Sequence, residues 1–176
     1  MKKTIGETQK PLTLLTTTAL FAAMITLMTA YIFHIPYGAN GGYVHFGDAL
    51  IYLAAVLLPR PYAVCAAIIG GGLADLLTAP MWAPATMIIK ALITLPFTSR
   101  HPHILNGRNM PAPILAALIS IGGYYLAEGL IFGSFATAAA SALGNLIQGV
   151  GSMIIFFLLA GVLERTKLKA NLLQKF

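Results

Sequence analysis

Six apolar runs, roughly 12–33, 46–58, 61–77, 82–98, 112–132 and 138–163, occupy most of this chain and decide what it can fold into. Crossing the hydrocarbon core of a bilayer takes about 20 apolar residues, within a range of about 17 to 25. Every run but the second meets that length. The second either begins earlier, near Gly42, or spans part of the bilayer beside a loop that folds inward. Such irregular backbone is tolerated at membrane depth only where protein or a water-filled cavity covers it.

Only 9% of the residues are charged and 58% are apolar, whereas a soluble domain carries about 25% charged residues. Too little polar surface exists to face water on all sides. The fold class expected is therefore all-α: an integral membrane bundle of six transmembrane helices, forming a single membrane domain over residues 1–176. No internal repeat, low-complexity tract or second domain interrupts it. The first run is preceded by Lys2, Lys3 and Lys10, as in a secretory leader, but it is longer than the 7–15 apolar residues of a leader's hydrophobic region. It reads as a retained helix.

The net charge of +6 does not indicate nucleic acid, because the basic residues lie between the apolar runs instead of along one face. Lys2, Lys3 and Lys10 precede the first run. Arg60 follows the second, Arg100 and Arg108 follow the fourth, and Arg165, Lys167, Lys169 and Lys175 follow the sixth. The connections 34–45, 78–81 and 133–137 hold no Lys or Arg. The positive-inside rule then places both termini in the cytoplasm. The connections on the other side, "HIPYGANGGYVH" (34–45) and "TAPMWAP" (78–84), are rich in Gly, Pro and aromatics and read as ordered or hinged loops. "SRHPHILNGRNMPAP" (99–113) is the one extended polar stretch and reads as a loop.

The remaining basic residue, Lys90, lies inside the fourth run, and Asp48, Asp75 and Glu128 also lie in or at the mouths of apolar runs. Ionisable groups there are expensive and tend to mark a functional path. The topology gathers the three acids in the outer third with Lys90 beneath them, roughly 12 Å below Trp82 at about 1.5 Å per residue. Ser141, Asn145, Gln148 and Ser152 share one face of the sixth helix, and Tyr124 and Glu128 share one face of the fifth. Tyr37, Tyr43, Trp82, Tyr124 and Tyr125 offer rings for stacking.

Each residue also has a plainer reading. Asp48 could cap the second helix, or contact a ligand, or both. Asp75 or Glu128 could be the structural partner of Lys90. Asn145 and Gln148 could join helices. His34 and His45 could be interfacial, and Trp82 and Tyr31 could be membrane anchors. Ala19 and Ala23, four apart on the first helix, permit close helix approach, within the bundle or against a separate subunit. Cys65, the only cysteine, reads as a small packing residue, and it rules out internal disulfides and Cys-rich metal sites. "GGGLAD" (70–75) lacks the Gly-Lys-Ser/Thr of a phosphate loop, "HPH" (101–103) is a weak metal hint, and no catalytic signature is present. No cofactor is called for.

Six short helices, Ala19-x-x-x-Ala23, and the run from "HFGDALIYLAAVLLPRPYAV" through "GGGLADLLTAPMWAPATMIIKALITL" resemble the substrate-binding S components of energy-coupling factor (ECF) transporters. The resemblance covers nearly the whole chain and is densest over 43–95. It implies a small protein of the prokaryotic cell membrane, multi-pass, that binds a vitamin or related micronutrient from outside with high affinity. It also implies docking, through the first helix with Ala19 and Ala23, on a transmembrane coupling subunit that carries two ATPase subunits. ATP hydrolysis would belong to those partners, so the chain itself is expected not to be an enzyme. Loops 34–45 and 78–84 would gate the site. Tyr37, Asn40, Tyr43, His45, Asp48, Asp75, Trp82, Lys90, Tyr124, Glu128, Asn145 and Gln148 are the expected substrate contacts. The polarity of that set suits a small heteroaromatic compound: pyridoxine-like, pyrimidine-like or a queuosine precursor. The alternative is a stand-alone proton-coupled carrier in which Asp75, Lys90 and Glu128 relay protons; the lack of a visible inverted repeat counts against it.

Overall fold

The computed structural model describes residues 5–32, 34–37, 40–166 and 169, with side chains from residue 11 onward. Lys2, Lys3, Lys167 and Lys175 lie outside the described residues. The chain runs α1 (Ile5–Ala30), β1 (Ile35–Pro36), β2 (Tyr43–Val44), α2 (Asp48–Leu57), α3 (Arg60–Thr78), a 3-10 turn (Pro80–Trp82), α4 (Ala83–Leu92), α5 (Ala112–Phe132) and α6 (Phe135–Arg165). The two strands form a small antiparallel hairpin with Ile35 opposite Val44 and Pro36 opposite Tyr43.

Four of the described helical stretches are long and apolar enough to cross a membrane: Pro11–Ala30, Arg60–Thr78, Ala112–Phe132 and Phe135–Arg165. Their outward faces carry exposed Leu15, Leu20, Leu130, Leu158 and Val162, as a lipid-facing surface requires. The fourth apolar run does not form the full-length helix that its hydropathy predicts. α4 ends at Leu92, and the chain tightens into turns in which Thr94 N–H donates to Ala91 and Leu95 N–H to Leu92. Pro96 follows directly; it disfavours helical backbone at the residue before it and cannot donate to a preceding turn. The connection before α6 is likewise shorter than expected. Ser134 caps the helix by accepting from Thr137 N–H at 3.3 Å, so α6 begins at Phe135.

The short α2 is the centre of the bundle. Every residue from Asp48 to Leu57 is buried, with α1, α3 and α6 packed around it. This explains a sequence, "DALIYLAAVL", that is apolar on all sides after its first residue, since a helix buried all round needs no polar face. At about 1.5 Å per residue it covers roughly 15 Å, half a bilayer core. It stops at Leu58, whose extended backbone precedes Pro59, and α3 starts at once with Pro61 in its first turn. α1 lies close on α3: a Cβ added to Gly70 would sit 2.7 Å from Ile25 Cβ, and Thr26 Oγ1 donates to Gly70 C=O at 3.0 Å.

The bundle therefore has two distinct ends. One carries the hairpin. The other carries Arg60, Arg100, Arg108 and Arg165 and the loop 93–111. Between them Tyr52, Phe97 and Phe156 pack ring on ring, with centroids 5.0 to 5.9 Å apart, an apolar plug across the middle of the molecule. Cys65 is exposed on the outer face of α3 instead of packed inside.

Candidate ligand-binding site

A cavity lies under the hairpin. A water-sized sphere can move through about 50 Å³ of it, room for only a few waters. Tyr37, Asn40, Tyr43, His45, Asp75, Trp82, Tyr124, Glu128, Asn145 and Gln148 line it, joined by Gly42, Val44, Ser141 and Gly144. The expected contacts Asp48 and Lys90 are not in the lining; they lie one layer deeper.

That deeper layer is a closed polar cluster. Lys90 Nζ donates to Asp48 Oδ1 at 2.6 Å, and Gln148 Nε2 donates to Asp48 Oδ2 at 3.0 Å. Lys90 and Asp48 are each about 1% exposed in their side chains. The partner of Lys90 is thus Asp48, not Asp75 or Glu128. Nor does Asp48 cap α2: Gly47 is the capping residue and no side-chain cap bond is present. Asp48 occupies the first turn because there it meets Lys90 from α4 and Gln148 from α6, and a buried carboxylate without such partners is strongly disfavoured. The Lys90 ammonium also lies 5.3 Å from the Tyr124 ring centroid, within cation–π range.

Gln148 ties this floor to the cavity: its Oε1 accepts from His45 N–H at 3.3 Å. His45 Nδ1 in turn accepts from Gly47 N–H at 3.0 Å. Burial, then the charge of Lys90, lowers the His45 pKa to about 3, so the ring is neutral at ordinary pH and turns the chain into α2 as an acceptor.

The hairpin is held down at three places. Asn40 Nδ2 donates to Glu128 Oε1 at 2.7 Å, and Ser141 Oγ donates to the same oxygen at 3.0 Å. Tyr43 hydroxyl donates to Asp75 Oδ1, while its ring stacks on His34 with centroids 3.9 Å apart. Burial and the Asp75 carboxyl push the Tyr43 phenol above its ordinary value, which keeps it a donor. Trp82 Nε1 donates to Asn40 C=O at 3.3 Å. Tyr37 packs against α6: a Cβ at Gly144 would come within 2.3 Å of its ring.

The cavity therefore has aromatic walls, two carboxyl groups and three side-chain amides, and neither Lys nor Arg in its lining. The Asn145 amide makes no hydrogen bond among the described residues. Tyr125 turns away and packs against Phe135, with centroids 5.5 Å apart. The lining residues that the sequence reading left out of its site are Gly42, Val44, Ser141 and Gly144. Ser141 stood on the recognised polar face of α6; the glycines carry no chemistry of their own and are legible only once the rings above them are placed. Among the described residues no group of three His, Cys, Asp or Glu could hold a metal.

A membrane bundle with a hairpin closed over a ring-lined polar cavity defines a solute-binding membrane protein. The comparisons make this specific. The ECF-type riboflavin transporter S component family matches residues 11–165, so the chain belongs to the S components of ECF transporters. It is a substrate-binding transporter subunit of the membrane, not an enzyme. An uncharacterised protein of Pyrococcus woesei is 30% identical over 131 residues, covering 73% of this chain and 86% of that protein. The solved structure of the S component of a bacterial ECF transporter has the same fold, with a TM-score of 0.68 over 89% of this chain and 98% of that one, at 20% identity.

Proposed function

We propose that this chain captures a small heteroaromatic micronutrient beneath the hairpin, with high affinity and from the outer face of a prokaryotic cell membrane. The observation that carries the reading is the cavity itself: rings from Tyr37, Tyr43, Trp82 and Tyr124 surround Asp75, Glu128, Asn145 and Gln148. The rings suit a flat ligand. The carboxyl groups suit one that donates hydrogen bonds, and Asn145 is free to join it. Asp48 and Lys90 serve as the floor that orients Gln148, not as direct contacts.

With room for only a few waters, the closed cavity must open even for a ligand of pyridoxine, pyrimidine or deazapurine size. Riboflavin, which names the matched family, is larger and needs the hairpin lifted further. Entry of any of these requires the Asn40–Glu128 and Tyr43–Asp75 bonds to open, which makes the loop 34–45 the gate.

Delivery depends on partners. Ala19 and Ala23 are exposed on α1, while Leu14, Thr18, Ala22 and Ile25 turn inward. The small pair is therefore not used for packing within the bundle and is free to receive a coupling subunit carrying two ATPase subunits. Uptake of the bound compound by cells is the test. With the coupling and ATPase subunits deleted, uptake is expected to vanish while binding to purified protein persists. Uptake that continues and follows the proton gradient would instead support the stand-alone carrier.

A further inference from the structure

At the basic end of the bundle lies a second cavity, of about 350 Å³, between the end of α2, the start of α3 and the turns that follow α4. Its volume falls within the range of about 300–1,000 Å³ usual for small-molecule sites. Arg60 and Arg100 line it with Thr98 and Ser99, over a floor that includes Phe97 and Ala55. No acidic residue lines it. Both arginines are exposed, and among the described residues neither guanidinium enters an ion pair or a side-chain hydrogen bond.

The walls are built, not incidental. Thr98 N–H donates to Asn109 Oδ1 at 2.8 Å, and Asn109 Nδ2 donates to Thr98 C=O at 2.9 Å. Arg108 Nε donates to Pro96 C=O at 2.8 Å. These bonds fix the turn that carries Thr98, Ser99 and Arg100. Thr98 Oγ1 accepts from Arg100 N–H at 3.3 Å, which sets the start of the arginine. On the opposite wall Arg60 stands in the first turn of α3, where the backbone N–H groups give the helix end positive character.

We propose that this cavity binds a phosphate group, held between Arg60 and Arg100, and that its usual source is the headgroup of an anionic phospholipid. Guanidinium pairs suit phosphate oxygens, and basic pockets between membrane helices bind anionic headgroups. The apolar floor and the exposed Leu92 and Leu95 beside it, each 42% exposed, offer a path for the acyl chains. Free phosphate shares the recognised chemistry and is the other source.

The test uses the full chain in uncharged detergent, followed by thermal unfolding with added phosphatidylglycerol, phosphatidylcholine or inorganic phosphate. Phosphatidylglycerol is expected to raise the unfolding temperature where phosphatidylcholine does not. Arg60→Gln with Arg100→Gln should need at least tenfold more of it, and Arg60→Lys with Arg100→Lys should fall between. Arg165→Gln, at the same end but outside the cavity, should behave as wild type. Protection of wild type by inorganic phosphate alone, with competition against phosphatidylglycerol, would assign the site to free phosphate. Equal protection by both lipids, or equal loss in Arg165→Gln, would overturn the site. Phosphatidylglycerol protection retained undiminished in Arg60→Gln with Arg100→Gln would overturn it too.

Discussion

Lys90 Nζ and Asp48 Oδ1 lie 2.6 Å apart, joining α4 to the first turn of the central helix. The pair makes a short, fully enclosed α2 possible. It brings a charge inside together with its counter-charge, and Gln148 satisfies the second carboxylate oxygen. Removing one partner should cost far more than removing both. Lys90→Met is expected to destabilise by about 3–5 kcal/mol, whereas Lys90→Met with Asp48→Asn should recover much of that loss. Denaturation in detergent checks the asymmetry. Equal losses in the single and double variants would show that the pair is not the determinant.

The Asn40–Glu128 bond is the hairpin's contact with α5, reinforced by Ser141. Asn40→Ala should weaken ligand binding by about tenfold, about 1.4 kcal/mol, chiefly through faster release, because the gate then opens without breaking this bond. Stopped-flow release rates measure it. An unchanged release rate would remove loop 34–45 from the gating role.

Tyr37 packs on bare backbone at Gly144. Gly144→Val should lift the hairpin and weaken ligand binding by at least about tenfold, while costing about 1–3 kcal/mol of stability as an overpacked contact. Adding Tyr37→Ala should restore much of the stability. Calorimetric titration and thermal unfolding of both variants decide whether the contact is positional.

His45 gives the account a pH signature. Its folded-state pKa is lowered to about 3 from an ordinary 6.5, so the unfolded chain takes up the proton first. Its contribution to stability is full above about pH 6.5 and is lost as pH falls toward about 3, with a slope of at most about 1.4 kcal/mol per pH unit. His45→Gln, which keeps an acceptor for Gly47 N–H, should flatten unfolding temperature between pH 7 and pH 4.5. A wild-type profile no steeper than that of the variant would contradict the assignment.

Much of this was legible in the sequence for a physical reason: lipid leaves long apolar runs few alternatives. The four long helices follow their hydropathy closely. α4 does not, because hydropathy averages over Pro96 while the backbone cannot. The cavity was legible as a set of polar and aromatic residues on helix faces and in the loop 34–45, and most of them converge. Pairing was not legible. Topology and depth placed Lys90 beneath three acids, but which acid it meets depends on how α2 threads the bundle, and that depends on packing across long sequence separations. The seats at Gly144 and Gly70 were invisible for the same cause, since a glycine's use is defined by what lies against it.

If α1 docks through Ala19 and Ala23, as proposed, these two residues separate binding from delivery. Ala19→Leu with Ala23→Leu should leave ligand affinity within about twofold, because both side chains face away from the cavity and exposed substitutions shift stability by only about 0.5 kcal/mol. Assembly with the coupling subunit, followed by co-purification, should fall sharply. Intact assembly would move docking to another surface.

Trp82 is the only tryptophan in the chain, and it lines the cavity. Its fluorescence therefore reads the site directly. Purified protein, stripped of whatever accompanies it and with that material identified by mass spectrometry, should show a saturable change in Trp82 emission when one heteroaromatic micronutrient is returned. The account predicts a near-stoichiometric end point, lost in Glu128→Ala and Asn145→Ala variants that remain folded. No emission change across pyridoxine, pyrimidine, deazapurine and flavin compounds, from a protein that carries nothing on purification, would contradict it.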